Sequence, residues 1–367
     1  MPILRADISR PKLYVIQQFT APCDIEKQRI QDGRHALYSS TTKSSPQVST
    51  EIPCATQQPD TSEAIADSRE VTRQLNLQHN APWNLARISR GHAGNDSSTY
   101  CYDATAGSGA YVYLVDSGIK VSHPEFSGRA FHGVNFALWD PVDDECSHGT
   151  HMAGIIGGKT YGVAKNCTII SVKVVDKDGH GGLSRLGEGI QWATNDAVAK
   201  GIADRSVMTI TVGCPYEASI NYVVEKATDA GITVVVPAGN WARPASLASP
   251  ASVKTAITVA ASDRDDRCTP WSNYGPCVDI FAPGVDIASA SHEVDDEPRV
   301  ANGTSPAAAH VAGLAAYFIS SENLRGSKAV KERILGASVN GIITNERESS
   351  NRLAYNDSRV PWKKYAL

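Results

Sequence analysis

The 367-residue chain carries 35 basic and 39 acidic side chains, for a net charge of −4, with 41% hydrophobic and 20% charged residues. That balance is typical of globular domains with a substantial core, and it offers no basic surface for nucleic acid. No stretch approaches the run of uninterrupted apolar residues that a membrane span requires.

The opening segment MPILRADISRPKLYVIQQF is broken by Arg5, Asp7, Arg10 and Lys12 before a secretory apolar run can develop. No signal peptide is read there, so the sequence leaves both an intracellular and an extracellular location open. Residues 13–16 predict a strand and residues 25–30 a helix. Residues 39–65 are rich in Ser, Thr, Pro and Gln without apolar periodicity, which predicts a linker or disordered segment. Residues 1–78 are therefore set apart as an amino-terminal segment, a degenerate propeptide or linker, from a domain over 79–367.

Within that domain the short Val- and Ile-rich runs 111–115, 169–175, 207–212, 232–236 and 256–260 read as buried strands. Between them, Leu186, Ile190, Ala193 and Ala197 mark one face of a helix. Ile220, Val223, Val224 and Ala227 mark another, with Gly231 placed as its stop. Alternating strands and helices predict an α/β fold, a mainly parallel sheet with helices on both faces. Sites in such sheets form beyond the carboxyl ends of the strands.

Three motifs carry chemistry. YVYLVDSGI ends an apolar strand in Asp116, which by itself reads equally as a turn aspartate. CSHGTHMAGIIGG places His148 and His151 before a tightly packing small-residue helix; without an acidic partner motif the pair makes only a weak metal site. NGTSPAAAHVAGLAAYF places Ser305 where a glycine-containing turn meets an Ala-rich helix. Ser is a good helix cap there, but the helix N-terminus would also favour a developing oxyanion. A nucleophilic serine needs a base, and the base needs a carboxylate to orient it. The order Asp, His, Ser and the separations agree with the subtilisin arrangement. A fourth motif, ITVVVPAGN, ends a strand in Asn240, whose amide could donate to the oxyanion.

Residues from about 80 to 356 resemble the proteinase K branch of the subtilisin-like proteases, the S8 family. The matching segments are NAPWNLARIS, VDSGIKVSHPEFSGRA, HGTHMAGIIGG, YGVAKN, SPAS, ASDRDDR, WSNYG, VDIFAPG, HVAGLAAY and LAYN. The resemblance implies a subtilisin-like fold and a serine endopeptidase of broad specificity, acting on polypeptides as an extracellular monomer. Asp116 would orient His148, and His148 would activate Ser305, with Asn240 and the Ser305 N–H holding the oxyanion. It further implies that substrate adds as a strand between Gly179, His180 and Gly181 on one side and Thr211, Val212 and Gly213 on the other. Pro237, Ala238 and Gly239 would line a roomy pocket for an apolar or aromatic residue before the cut. No cofactor is implied for catalysis. A structural calcium is implied at Asp279 and the backbone carbonyls of Lys254 and Ala256.

Several positions depart from the family pattern. Pro306 and Ala309 stand where the family has Met and Pro. Thr211, Val212 and Cys214 replace Ser, Leu and Gly. Pro306 suits the first turn of a helix and leaves the Ser305 N–H intact. Asn302 and Thr304 form a glycosylation sequon; a glycan there would block the cleft, so the sequon is expected to be unused or the protein never exposed to the glycosylating machinery. Of eight cysteines, Cys268 and Cys277 are near enough in sequence to be a candidate bridge. Two other activities remain compatible with the residues: a silent subtilase fold used for binding, and acyl transfer to an amine instead of water.

Overall fold

The apolar runs become strands of a twisted, mostly parallel sheet in the computed structural model, which describes residues 15–18, 74–91 and 98–358. In chain order the strands are β1 (Val15–Gln18), β2 (Leu75–Gln78), β3 (Tyr100–Asp103), β4 (Tyr111–Asp116), β5 (Ala130–Asn135), β6 (Thr168–Lys173), β7 (His180–Gly182), β8 (Ser206–Ile210) and β9 (Val212–Pro215). They continue as β10 (Thr233–Pro237), β11 (Ala248–Ser249), β12 (Ile257–Ser262), β13 (Ile280–Pro283), β14 (Ile287–Ser289), β15 (Arg299–Ala301), β16 (Val339–Asn340) and β17 (Arg352–Leu353). Among the described residues, the helices of eight residues or more are α1 (His148–Gly157), α2 (Leu183–Ala199), α3 (Ala218–Asp229), α4 (Thr304–Ser321) and α5 (Ser327–Ala337).

The large sheet runs β16-β17-β13-β12-β10-β8-β4-β6-β5. Every neighbouring pair in it is parallel except β16 with β17. All residues of β8, β10, β12 and β13 are buried, as expected for strands covered on both faces. On one face α4 runs through the core, buried from Thr304 to Ile319, and the small side chains of SPAAAHVAGLAA let it lie close to the sheet. On the other face α2 and α3 lay down their apolar stripes, with Leu186, Ile190, Ala193, Ala197, Ile220, Val224 and Ala227 all buried. Gly231, at φ 99°, follows the end of α3, and its N–H closes on Thr228 O at 3.0 Å.

The run 207–212 is not one strand. It breaks at Thr211, after which β9 leaves the large sheet and pairs antiparallel with β11 and β1. The strand expected at 13–16 is found at Val15–Gln18. It lies between β7 and β9, with Ile16 opposite Gly181, Gln17 opposite His180 and Gly213, and Gln18 opposite Val212. The helix expected at 25–30 and the linker at 39–65 lie outside the described residues. So does most of the 1–78 segment. All described residues belong to one compact unit. Among them, no helix is long and apolar enough to cross a membrane.

Candidate active site

Asp116 is the last residue of β4 and is fully buried. Its Oδ1 and Oδ2 lie 2.8 and 2.7 Å from His148 Nδ1. Oδ1 also accepts the Ser117 N–H at 2.5 Å, and Oδ2 accepts the Thr211 hydroxyl. Burial alone would push this carboxyl up; the His148 ring and these donors outweigh it and hold the group below its ordinary range.

His148 opens α1, and two local features bring that helix end onto the turn after Asp116. A Cβ on Gly149 would stand 2.0 Å from Gly118 O, so only glycine permits the approach. Asp144, buried in the preceding loop, accepts from Ser117 Oγ (2.9 Å), Cys146 N (2.9 Å), Ser147 N (3.1 Å), Thr150 N (2.9 Å) and Thr150 Oγ1 (2.7 Å). It thereby caps α1, whose Ser147 makes no side-chain cap. Lys173, opposite Asp116 on β6 and fully buried, donates to Ser117 O at 2.7 Å and Asp143 O at 3.1 Å. The loop carrying the carboxylate is therefore held from both sides.

With Nδ1 committed to Asp116, Nε2 of His148 is the acceptor nitrogen, and it is buried without a hydrogen-bond partner. Ser305, second residue of α4, donates from Oγ to Thr211 O at 3.1 Å. Thr211 thus touches both the carboxylate and the serine. Pro306 sits in the first turn of α4 without interrupting it, as the sequence predicts.

Asn240 follows Pro237, the last residue of β10, through Ala238 and Gly239. Its Oδ1 accepts from Thr304 N at 3.0 Å and Thr304 Oγ1 at 2.9 Å, which fixes the amide so that Nδ2 is the free donor. Nδ2 is buried and unpartnered. Gly239, at φ 108°, donates to Thr304 Oγ1 at 3.1 Å, and a Cβ there would meet Asn273 Nδ2 at 2.4 Å. Asn273 in turn braces the loop: Nδ2 donates to Ala238 O at 2.8 Å, and Oδ1 accepts from Trp241 N and Arg243 N. Sequence reading assigned no role to Asp144, Lys173 or Asn273. The signals were present in DDECSH, SVKV and WSNYG, but their meaning depends on contacts between distant segments.

Gly179, at φ 81°, turns the chain into β7, which carries His180 and Gly181; Val212 and Gly213 lie on β9. The two candidate substrate strands therefore face one another across β1.

His151 parts company with His148. It is buried, its Nε2 donates to Ile287 O and Arg299 O at 3.0 Å each, and burial together with the nearby His148 pushes it down to about 3. It is a neutral brace between α1 and the β14–β15 hairpin. Among the described residues, no group of three or more His, Cys, Asp or Glu side chains could hold a metal ion.

The candidate bridge Cys268–Cys277 does not form. Cys268 and Cys277 are both free thiols. Cys268 Sγ is engaged instead with Thr269 O at 3.6 Å and Arg347 Nη2 at 3.7 Å.

The expected calcium ligands do converge, but on an ammonium. Lys331 Nζ donates to Ala256 O at 2.5 Å, Lys254 O at 2.9 Å and Asp279 Oδ2 at 3.2 Å. With the lysine in that place, the three oxygens do not fit a calcium ion.

A mostly parallel α/β sheet, with Asp116 bonded to His148 at the end of β4 and Thr211 touching both Asp116 and Ser305, is the architecture of the subtilisin-like serine proteases. Residues 107–355 match the model of the subtilase family, Peptidase S8, and the chain belongs to that family. Alkaline protease 1 of Aspergillus clavatus is 43% identical over 308 residues, covering 81% of this chain and 75% of the relative. Subtilisin-like protease 2 of Pseudogymnoascus destructans is 43% identical over 290 residues, covering 79% and 71%. A crystal structure of a cold adapted subtilisin-like serine proteinase superposes with a TM-score of 0.71 at 33% identity, covering 76% of this chain and 98% of that one. The chain is a serine endopeptidase of the subtilase family.

Proposed function

We propose that this endopeptidase works through Ser305, His148 and Asp116, with Asn240 as oxyanion donor. His148 Nε2 takes the Ser305 hydroxyl proton as Oγ bonds to the scissile carbonyl carbon. The carbonyl oxygen gathers negative charge against Asn240 Nδ2–H and the Ser305 N–H. The imidazolium then returns its proton to the leaving amine as the C–N bond breaks. Water repeats the cycle on the acyl-enzyme, and Asp116 stays ionised throughout.

The observation that carries this reading is a pair of orphans. His148 Nε2 and Asn240 Nδ2 are buried and unpartnered, although the other polar atom of each side chain is fully engaged. Leaving each unsatisfied costs about 1–3 kcal/mol, a cost that a substrate held in the cleft would relieve.

Substrate would add as an antiparallel strand between β7 and β9, in the position of β1. Since Gln17 faces Gly213 and Gln18 faces Val212, the next residue of such a strand would face Thr211, whose carbonyl accepts from Ser305. In this sequence the next residue is Phe19. That agrees with a preference for an apolar or aromatic residue before the cut, beside Pro237, Ala238 and Gly239. Extracellular polypeptides as substrates are part of the same proposal.

The test is labelling of the full chain by a fluorophosphonate probe, compared with Ser305→Ala. Labelling lost with the substitution is expected. A folded chain that never labels would sink the catalytic reading in favour of a silent binding module. The free peptide LYVIQQFTA should be cut between Phe and Thr; cleavage of a digested protein mainly after Lys or Asp would refute the specificity.

A further inference from the structure

An ammonium group has three donor hydrogens, and Lys331 meets three acceptors with them: the carbonyls of Lys254 and Ala256 and the carboxylate of Asp279. These acceptors come from two segments far apart in sequence, the turn before β12 and the residue before β13, and α5 brings the lysine to both. Asp279 is already engaged through Oδ2 with the Thr258 N–H at 2.9 Å. Calcium would need the same oxygens at roughly 2.3–2.6 Å, and the lysine nitrogen stands where they converge.

We propose that Lys331 is a built-in cation that replaces a bound metal ion at this site. The ammonium ties α5 to the starts of β12 and β13. β12 in turn runs beside β10, pairing Val259 with Pro237, and Val259 O accepts the Ala238 N–H at 2.8 Å. The clamp therefore stiffens the sheet behind the loop that carries Asn240, and it does so without a dissociable ligand. Stability of the chain is then indifferent to calcium, and removal of the lysine side chain opens a calcium site. This inference does not depend on the catalytic roles proposed above.

Thermal unfolding of the full chain in the Ser305→Ala background, which prevents self-digestion, tests it in chelator and in millimolar calcium. The parent should unfold at the same temperature in both. Lys331→Ser should unfold about 2–4 °C lower in chelator and recover most of that loss in calcium. Terbium luminescence should report binding in Lys331→Ser, and Asp279→Asn added to that variant should abolish it. Lys331→Met, which fills the space without a charge, should be destabilised with no recovery. Two outcomes would overturn the proposal: a parent that binds terbium and gains stability from calcium through Asp279, or a Lys331→Ser chain that binds no metal. The parent measurement decides the matter even if the variants fold poorly.

Discussion

The hydroxyl of Thr211 donates to Asp116 Oδ2, the same carboxylate oxygen that lies 2.7 Å from His148 Nδ1, while the Thr211 carbonyl accepts from Ser305 Oγ. One residue between two strands thus couples the carboxylate to the serine. Hydrogen bonds to charged groups contribute about 1.5–3 kcal/mol. Thr211→Val, nearly equal in shape, should therefore lower kcat by about 10- to 100-fold with the backbone contacts kept. Thr211→Ser should restore most of it. Steady-state kinetics on one peptide substrate checks both.

One substitution separates the structural contact of Asn240 from its proposed oxyanion role. Its Oδ1 holds the Thr304 N–H and hydroxyl, and its Nδ2 is the unpartnered donor. Asn240→Asp keeps the acceptor and removes the donor. Loss of one oxyanion donor lowers kcat by about 10²–10³-fold, and the carboxylate should deepen that loss while KM changes little. A variant with near-normal kcat would mean that Asn240 only caps α4.

Two buried histidines should make the fold lose stability as pH falls. His310 Nδ1 pairs with Pro306 O at 2.7 Å and its Nε2 with Asn84 Nδ2 at 2.7 Å, so the ring is neutral and Nε2 accepts. Burial pushes His310 down to about 4 and His151 to about 3, from an ordinary 6.5. Both folded-state values are depressed, so the unfolded chain binds more protons below pH 6.5. Their stabilisation is complete above that pH and is lost as pH falls toward 4 and 3. Each contributes a slope of about 1.4 kcal/mol per pH unit in that window. Urea unfolding of the Ser305→Ala chain between pH 4.5 and 6.5 should show this slope, and His310→Gln should reduce it by one proton.

Oxidation provides a test of Pro306. Proline has no thioether, and the two described methionines, Met152 and Met208, are fully buried. Activity should persist through mild peroxide treatment, and Pro306→Met should make inactivation several-fold faster. Rapid loss in the parent, with no other residue modified, would count against this account.

The sequence by itself determined the alternation of strands and helices, because Val- and Ile-rich runs and the Leu186–Ile190–Ala193–Ala197 stripe are local patterns with their own period. The residues proposed for catalysis, Asp116, His148, Ser305 and Asn240, stood out for a related reason: each lies at or next to a strand end or helix start inside a short motif whose chain order carries meaning. Tertiary structure alone decided what depends on distant side chains meeting. Thr211 read as a residue of the substrate strand, and only the fold joins its hydroxyl to Asp116, 95 residues away. Asp279 with the Lys254 and Ala256 carbonyls read as a calcium site, because the lysine that occupies it arrives on a helix 52 residues later. Cys268 and Cys277 read only as a candidate bridge from their spacing, and closeness along the chain does not set the direction of a side chain. A motif carries the local backbone with it, but the partner of a buried charge is chosen by the packing of the whole sheet.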